Sequence, residues 1–254
     1  MDIHIIPCLK DNYAYIVENK KTKNACVVDP SESDPIRDYL KKNKLNLKFI
    51  LNTHHHADHV GGNLELKKEF NSKILGFEKD KERIPGIDIV LKNRQIWNFE
   101  NSDVLIEHVP GHTSGHIFYY FKNEEAAFTG DTLFSFGCGR LFEGSYLEMV
   151  NSLKKIKSLP SKTKIFCGHE YTISNLKFCI EIDKNNAEII ENQMDKVDQQ
   201  QLVIESQQGA IKVQEREYAS QNNLVRLLSF FLVIILSLTI YSIYSTISIS
   251  RKKK

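Results

Sequence analysis

The sequence contains no C-x-x-C pair: its five cysteines, Cys8, Cys26, Cys138, Cys167 and Cys179, are scattered and odd in number. That excludes a thiolate zinc site and a disulfide framework, and it reads as reduced thiols in a cytosolic-type compartment. A strong charge of either sign is also missing, with 34 Lys and Arg against 32 Asp and Glu and a formal net charge of +2. No long basic face precedes the C-terminus, so nucleic acid is excluded as the main partner. The opening, MDIHIIPCLKDNY, lacks the basic start and long apolar run of a signal peptide and the Arg-rich character of a transit peptide. No internal repeat is visible. At 254 residues the chain holds one large domain, or a medium one with an appendage.

What is present, up to about Asn185, is a series of short apolar runs broken by turn residues. DIHIIPCL, NYAYIVEN, NACVVDP, LKFILNT, SKILGF, QIWNF, DVLIEHVPGH, GHIFYYF, EAAFTGDTLF and TKIFCGHEYT read as strands, rich in β-branched and aromatic residues. SDPIRDYLKKN reads as a short helix with Ser33 or Asp34 as its cap and Pro35 in the first turn. GGNLELKKEF reads as a second helix. SYLEMVNSLKKIKSL is a third, opened by the Ser145–Glu148 capping-box pattern.

Four of the nine histidines fall in NTHHHADHVGG, Asn52 to Gly62. Imidazole and carboxylate are what zinc and other borderline transition metals take when thiolate is absent. His54, His56, Asp58, His59, His112, Asp131 and His169 all follow closely on the end of an apolar strand, where a rigid sheet fixes its loops. In H-x-H-x-D-H, His54 and His56 can serve one ion while Asp58 and His59 serve a neighbour. His112, Asp131 and His169 are the distant candidates that complete the two shells, and the two oxygens of Asp131 suit a bridge. Gly61, Gly62, Gly111, Gly130 and Gly168 flank these positions, as tight turns require. His55 is expected to point away from the metals and His116 to be structural; His4 and His108 fall outside the set.

THHHADHVGG, PGHTSGH, FTGDTLF and CGHEYT, in this order and spacing, resemble the metallo-β-lactamase fold. PCLKDNYAYIV, VVDP, GCGRLFEGS and GHEYTISNLKF narrow the resemblance to the glyoxalase II (hydroxyacylglutathione hydrolase) family, over roughly residues 1 to 190. The resemblance implies an α+β fold, a four-layer αββα sandwich with a dinuclear site at one edge. It implies two divalent metal ions, zinc first, with iron or manganese as alternatives. His54, His56 and His112 would hold the first, Asp58, His59 and His169 the second, and Asp131 would bridge them. Arg140, Phe142 and Tyr171 would contact a glutathione thioester, with Phe142 standing where tyrosine is commoner. The implied reaction is hydrolysis of S-lactoylglutathione-like substrates to glutathione and a hydroxy acid, as in methylglyoxal disposal. Asp58 and Asp131 are its candidate catalytic carboxylates, Asp58 as a transient proton acceptor. The alternatives are another enzyme of the fold, persulfide dioxygenase-like, lactamase or nuclease, or a tethering protein using its Gln-rich heptads.

The expected domains are residues 1–180 for the hydrolase, 181–223 for a Gln-rich helical segment and 224–254 for a membrane anchor. Ile190, Val197, Ile204, Ile211, Tyr218 and Val225 recur every seven residues, but the companion positions are nearly all polar. The seam is thin, and a helical partner through residues 186–223 is the expectation it carries. Leu227 to Ile249 has no charged residue and is followed by SRKKK. As a helix it would be about 34 Å long, enough to cross a bilayer core. This predicts a chain anchored in a membrane by its C-terminus, its catalytic domain facing the cytosol. The organelle stays open between the mitochondrial outer membrane and the endoplasmic reticulum. The family's C-terminal helical domain is recognisable here only in NAEIIENQMDKV, so weakened or altered thiol selectivity is expected.

Overall fold

The structure, a computed structural model, describes residues 1–183. The readings made on residues 186–223 and 227–249 lie outside the described residues. Among the described residues no helix is long and apolar enough to cross a membrane.

The first half runs β1 (Asp2–Cys8), β2 (Asn12–Glu18), β3 (Asn24–Val28), α1 (Asp34–Lys42), β4 (Asn46–Leu51), α2 (Ala57–Val60), α3 (Asn63–Phe70), β5 (Lys73–Phe77) and β6 (Ile89–Leu91). The second runs β7 (Ile96–Phe99), β8 (Ser102–His108), β9 (Ile117–Phe121), β10 (Ala126–Gly130), the hairpin β11 (Leu133–Phe134) and β12 (Gly137–Cys138), α4 (Tyr146–Lys157), β13 (Lys164–Cys167) and α5 (Thr172–Ile182). One sheet has the order β1-β2-β3-β4-β5-β6, antiparallel as far as β3 and parallel beyond it. The other has the order β13-β10-β9-β8-β7, antiparallel except where β10 meets β13.

Alternation along the strands explains the layers. On β2, Tyr15 and Val17 face the second sheet, while Ala14 and Ile16 face α1 and α3. On β9, Ile117, Tyr119 and Phe121 face the first sheet, while Phe118 and Tyr120 pack with Ile156 of α4. Strands buried on both faces read as unbroken apolar runs, which is why they were legible one by one. The result is helix, sheet, sheet, helix: the expected four-layer sandwich.

Local chemistry agrees with most of the reading. Ser145 and Glu148 form the capping box reciprocally. Pro7 sits in β1, an edge strand, where its missing N–H is tolerated. Ser33 is different: it occupies the cap position of α1, but its hydroxyl bonds the Glu65 carboxylate of α3 instead of the helix backbone. The helix instead starts at Asp34 with Pro35 in its first turn, where the lack of an N–H costs nothing.

The strands deliver their ends to one rim. β4 leads to His54, β8 to His112, β10 to Asp131 and β13 to His169. The turn between β1 and β2 joins them, because Tyr13 N–H donates to the Gly168 carbonyl and Glu170 N–H to the Asp11 carbonyl, both at 2.8 Å.

Candidate metal centre

Leaving β4, the chain is fixed by Asn52, whose amide donates to the His59 carbonyl at 3.0 Å and so folds the histidine turn back on itself. Tyr119 holds the Asn52 carbonyl from the opposite sheet at 2.9 Å. Asp29, buried at the end of β3, accepts from Thr53 N–H at 2.8 Å and from the Thr53 hydroxyl at 2.6 Å. These contacts leave the turn one conformation.

Two groups of side chains converge there. His54, His56 and His112 bring ligand atoms within 4.8 Å of one another, and so do Asp58, His59 and His169. Asp131 lies between them, 3.3 Å from His59 Nε2, 3.4 Å from His112 Nε2 and 3.3 Å from His169 Nε2. All seven residues singled out in the sequence are brought together. A third grouping, Asp29 with His54 and His59, also meets the distance condition. Both Asp29 oxygens are already committed to Thr53 and His59, so Asp29 orients the cluster from behind.

The outer nitrogens of four rings settle where the lone pairs point. His59 Nδ1 faces Asp29 Oδ2 at 3.1 Å, His169 Nδ1 faces Asp11 Oδ1 at 3.0 Å, and His112 Nδ1 faces the Arg140 carbonyl at 2.8 Å. These partners only accept, so each Nδ1 carries the proton. The Thr53 hydroxyl donates to Asp29 and therefore accepts from His54 Nδ1 at 3.1 Å. Four Nε2 atoms consequently face inward, and in the neutral imidazole each presents a lone pair there. His59 and His169 stand Nε2 to Nε2 at 3.3 Å, and His112 Nε2 is 3.0 Å from His56 Nδ1. Among the described residues His54 Nε2 and Asp131 Oδ1 are buried with no hydrogen-bond partner. Acceptors packed against acceptors repel unless a cation lies among them, so the residues present fit a pair of metal ions.

The electrostatics agree. Burial pushes His54 far down, and it lowers His56 and His112 as well, keeping these imidazoles neutral. On the other side burial opposes the charged form of His59, yet Asp131 and Asp29 outweigh it and hold that ring well up. Burial likewise opposes His169, but its hydrogen bonds to Asp131 and Asp58 carry it to about 10. Burial would raise Asp131, and His59 and His169 instead hold it well below the carboxylate range.

Close approach has one clear requirement. A Cβ on Gly168 would lie 2.3 Å from Asp131 Oδ1 and 2.8 Å from His59 Cε1, so that position admits glycine alone.

The three residues expected to contact substrate stand at the rim. Phe142, 63% exposed, lies edge-on to His56 and His112 with ring centroids 5.5 and 5.2 Å away. Tyr171 stacks on His169 at 4.8 Å with the rings almost parallel. The two aromatics bracket the cluster from opposite halves. Burial pushes the Tyr171 phenol up to about 12. Arg140 also has a role no residue type signals: its main-chain carbonyl orients His112.

Sequence reading placed the remaining histidines correctly. His55 turns away to Asp80. His116 stacks on His54 at 4.6 Å and accepts from Asp131 N–H at 3.1 Å. His4 meets Glu18 and His108 stacks on Phe77, both away from the cluster. Asp11, Asn12, Asp29 and Thr53 were not singled out as site residues, although LKDNY and VVDP contained three of them.

Comparison with known proteins gives the same picture. Residues 10–169 match the metallo-beta-lactamase superfamily. The hydroxyacylglutathione hydrolase of Pelagibacter ubique is 57% identical over 189 residues, covering 74% of this chain and 79% of that protein. Among solved structures, the B3 metallo-beta-lactamase BLEG-1 superposes with a TM-score of 0.62 at 27% identity, covering 66% of this chain and 92% of its own. TTHA1623, solved in a di-iron-bound form, superposes with a TM-score of 0.56 at 26% identity, covering 67% of this chain and 92% of its own. With its histidine turn, its strand-end ligands and these relatives in agreement, the chain belongs to the hydroxyacylglutathione hydrolase family of the metallo-beta-lactamase superfamily.

Proposed function

We propose that this chain hydrolyses glutathione thioesters of hydroxy acids, S-lactoylglutathione first among them, with two divalent cations at the described centre. His54, His56 and His112 would hold one, Asp58, His59 and His169 the other, and Asp131 both. The observation that carries this is the set of buried, unpartnered acceptors facing inward, read together with the hydroxyacylglutathione hydrolase relative. Divalent cations lower the pKa of water from about 15.7 toward neutrality and polarise a carbonyl oxygen. Zinc suits the donor set best; iron and manganese also accept imidazole and carboxylate.

The chain's own groups supply position and exclusion. Asn12 Nδ2 donates to the Asp58 carboxylate at 3.1 Å and to its carbonyl at 3.0 Å, fixing the side chain beside His169. The hydrogen bond from His169 holds the Asp58 carboxyl far below its ordinary range despite burial. Water adds to the acyl carbon and gives its proton to solvent, and the carbon–sulfur bond breaks with its electron pair leaving on sulfur. A thiol pKa near ~8.5 makes that thiolate a good leaving group, so no dedicated acid is needed. Phe142 and Tyr171 form the apolar walls that the acyl and peptide portions would meet.

The direct test is steady-state hydrolysis of S-lactoylglutathione beside a chromogenic cephalosporin and glutathione persulfide. The thioester is expected to be the preferred substrate by kcat/KM; faster β-lactam opening or persulfide oxidation would replace this reading. Phe142→Tyr restores a hydroxyl at the rim. One added neutral hydrogen bond is worth about 0.5–1.5 kcal/mol, so KM for S-lactoylglutathione is expected to fall roughly two- to tenfold with kcat little changed.

The uncharged run at 227–249 supports attachment to a membrane with the hydrolase in the cytosol, and the heptad spacing at 186–223 supports a helical partner. Recovery of the full chain in the soluble fraction after high-salt washing would remove the first of these.

A further inference from the structure

Outside the ligand set lies a second, connected cluster: His55, Asp80, Arg83, Ser114 and Glu143. Asp80 is fully buried, and Gly115 makes room for it, since a Cβ there would lie 2.1 Å from Asp80 Oδ1. Arg83 is the hub. Its Nη2 donates to Asp80 Oδ1 and to the Ser114 hydroxyl, the latter at 3.1 Å, and its Nη1 donates to Glu143 Oε1 at 2.6 Å. Nη1 also lies 3.3 Å from His55 Nε2, while His55 Nδ1 faces Asp80 Oδ2 at 3.3 Å. Both His55 nitrogens are thereby engaged, Nδ1 donating and Nε2 accepting. Glu143 Oε2 in turn accepts from the N–H and the hydroxyl of Ser114, each at 2.8 Å.

These partners come from three different segments. His55 sits between His54 and His56. Ser114 is two residues past His112. Glu143 closes the stretch in which the Arg140 carbonyl orients His112 and the Phe142 N–H donates to the His112 carbonyl at 3.1 Å. Each segment belongs to the His54–His56–His112 half of the centre. The other half has supports of its own, Asn12 on Asp58 and Asp11 on His169, while Asp29 reaches both halves, His59 directly and His54 through Thr53.

We propose that Arg83 is the positioning residue of one half of the metal centre, its guanidinium locking the three segments that carry and orient His54, His56 and His112. This rests on the two-cation reading above and adds to it a division of labour. Only a planar fork reaches Asp80, Ser114 and Glu143 at once; lysine, a single point charge, cannot.

The test is zinc titration by calorimetry into the full-length chain stripped of metal, comparing the unaltered protein with Arg83→Met, Arg83→Lys and Glu143→Gln. The unaltered protein takes up two equivalents. In Arg83→Met one equivalent keeps its affinity and the other weakens by about 10- to 100-fold, the range for lost outer partners of ligands. Arg83→Lys falls between the two. Glu143→Gln, a change at the surface with little folding risk, repeats the one-sided loss and decides the matter if Arg83→Met does not fold. Equal weakening of both equivalents, or of neither, would overturn the proposal. Absence of any zinc uptake by the unaltered protein would overturn the two-cation reading, and this proposal with it.

Discussion

Asp131→Ala lowers kcat for S-lactoylglutathione by ~10²–10³-fold or more, the range lost when a preorganised charge is deleted from an active site. Among the described residues Asp131 is the one carboxylate within 3.4 Å of rings from both halves, touching His59, His112 and His169. Its Oδ1, 3.3 Å from His59 Nε2, makes no hydrogen bond among the described residues, so alanine removes an acceptor directed at the site. The substitution leaves a small gap at the sheet edge, beyond the inter-sheet core. The loss therefore falls on activity and metal content, with the far-UV spectrum and solubility retained. An alanine variant with undiminished turnover would be incompatible with the proposed roles.

The second large effect is on stability. Stripping the cations with a chelator takes away binding energy that only the folded state collects. At a hundredfold excess over Kd one site contributes about 2.7 kcal/mol. For a unit of this size ~1 kcal/mol moves the thermal midpoint by roughly 2–4 °C. Chelation is then expected to lower the midpoint by roughly 5–11 °C per fully loaded site, read by calorimetry. The unit remains folded, because the ligands sit on loops and the single-turn α2 at the rim while the three apolar clusters lie within and on either side of the sheets. In Asp131→Ala the same chelator moves the midpoint much less. A chelator that leaves the unaltered protein's midpoint in place would count against metal binding in the folded state.

The central strands were legible because they are buried on both faces, and the four-layer sandwich followed from the family resemblance. Elements held by tertiary contact left no such trace. α2 has four residues and depends on Asn52 gripping the His59 carbonyl, a contact invisible to periodicity. β6, at three residues, is too short to show a pattern. α5 begins at Tyr171 with no capping side chain, so its start carried no signal. The site divides the same way. Seven ligating residue types crowded at strand ends are chemically conspicuous, whereas Asp11 and Asn12 look like ordinary turn residues. Asp11 meets a partner 158 positions away, reached only when the two sheets meet, and Asn12 one 46 positions away, across the first sheet. The Arg140 carbonyl and the Arg83 hub are later still to appear: the first is main chain, and the second is a surface-type residue whose partners come from three loops.

What most sharply decides the matter is a paired titration of metal-free full-length protein with zinc, following bound metal and S-lactoylglutathione turnover in the same samples. Turnover should be absent at the start and rise to saturation as two equivalents bind, with Asp131→Ala failing to recover it. Full turnover in rigorously metal-free protein, or zinc that never binds at the His54–His169 cluster, would contradict the assignment.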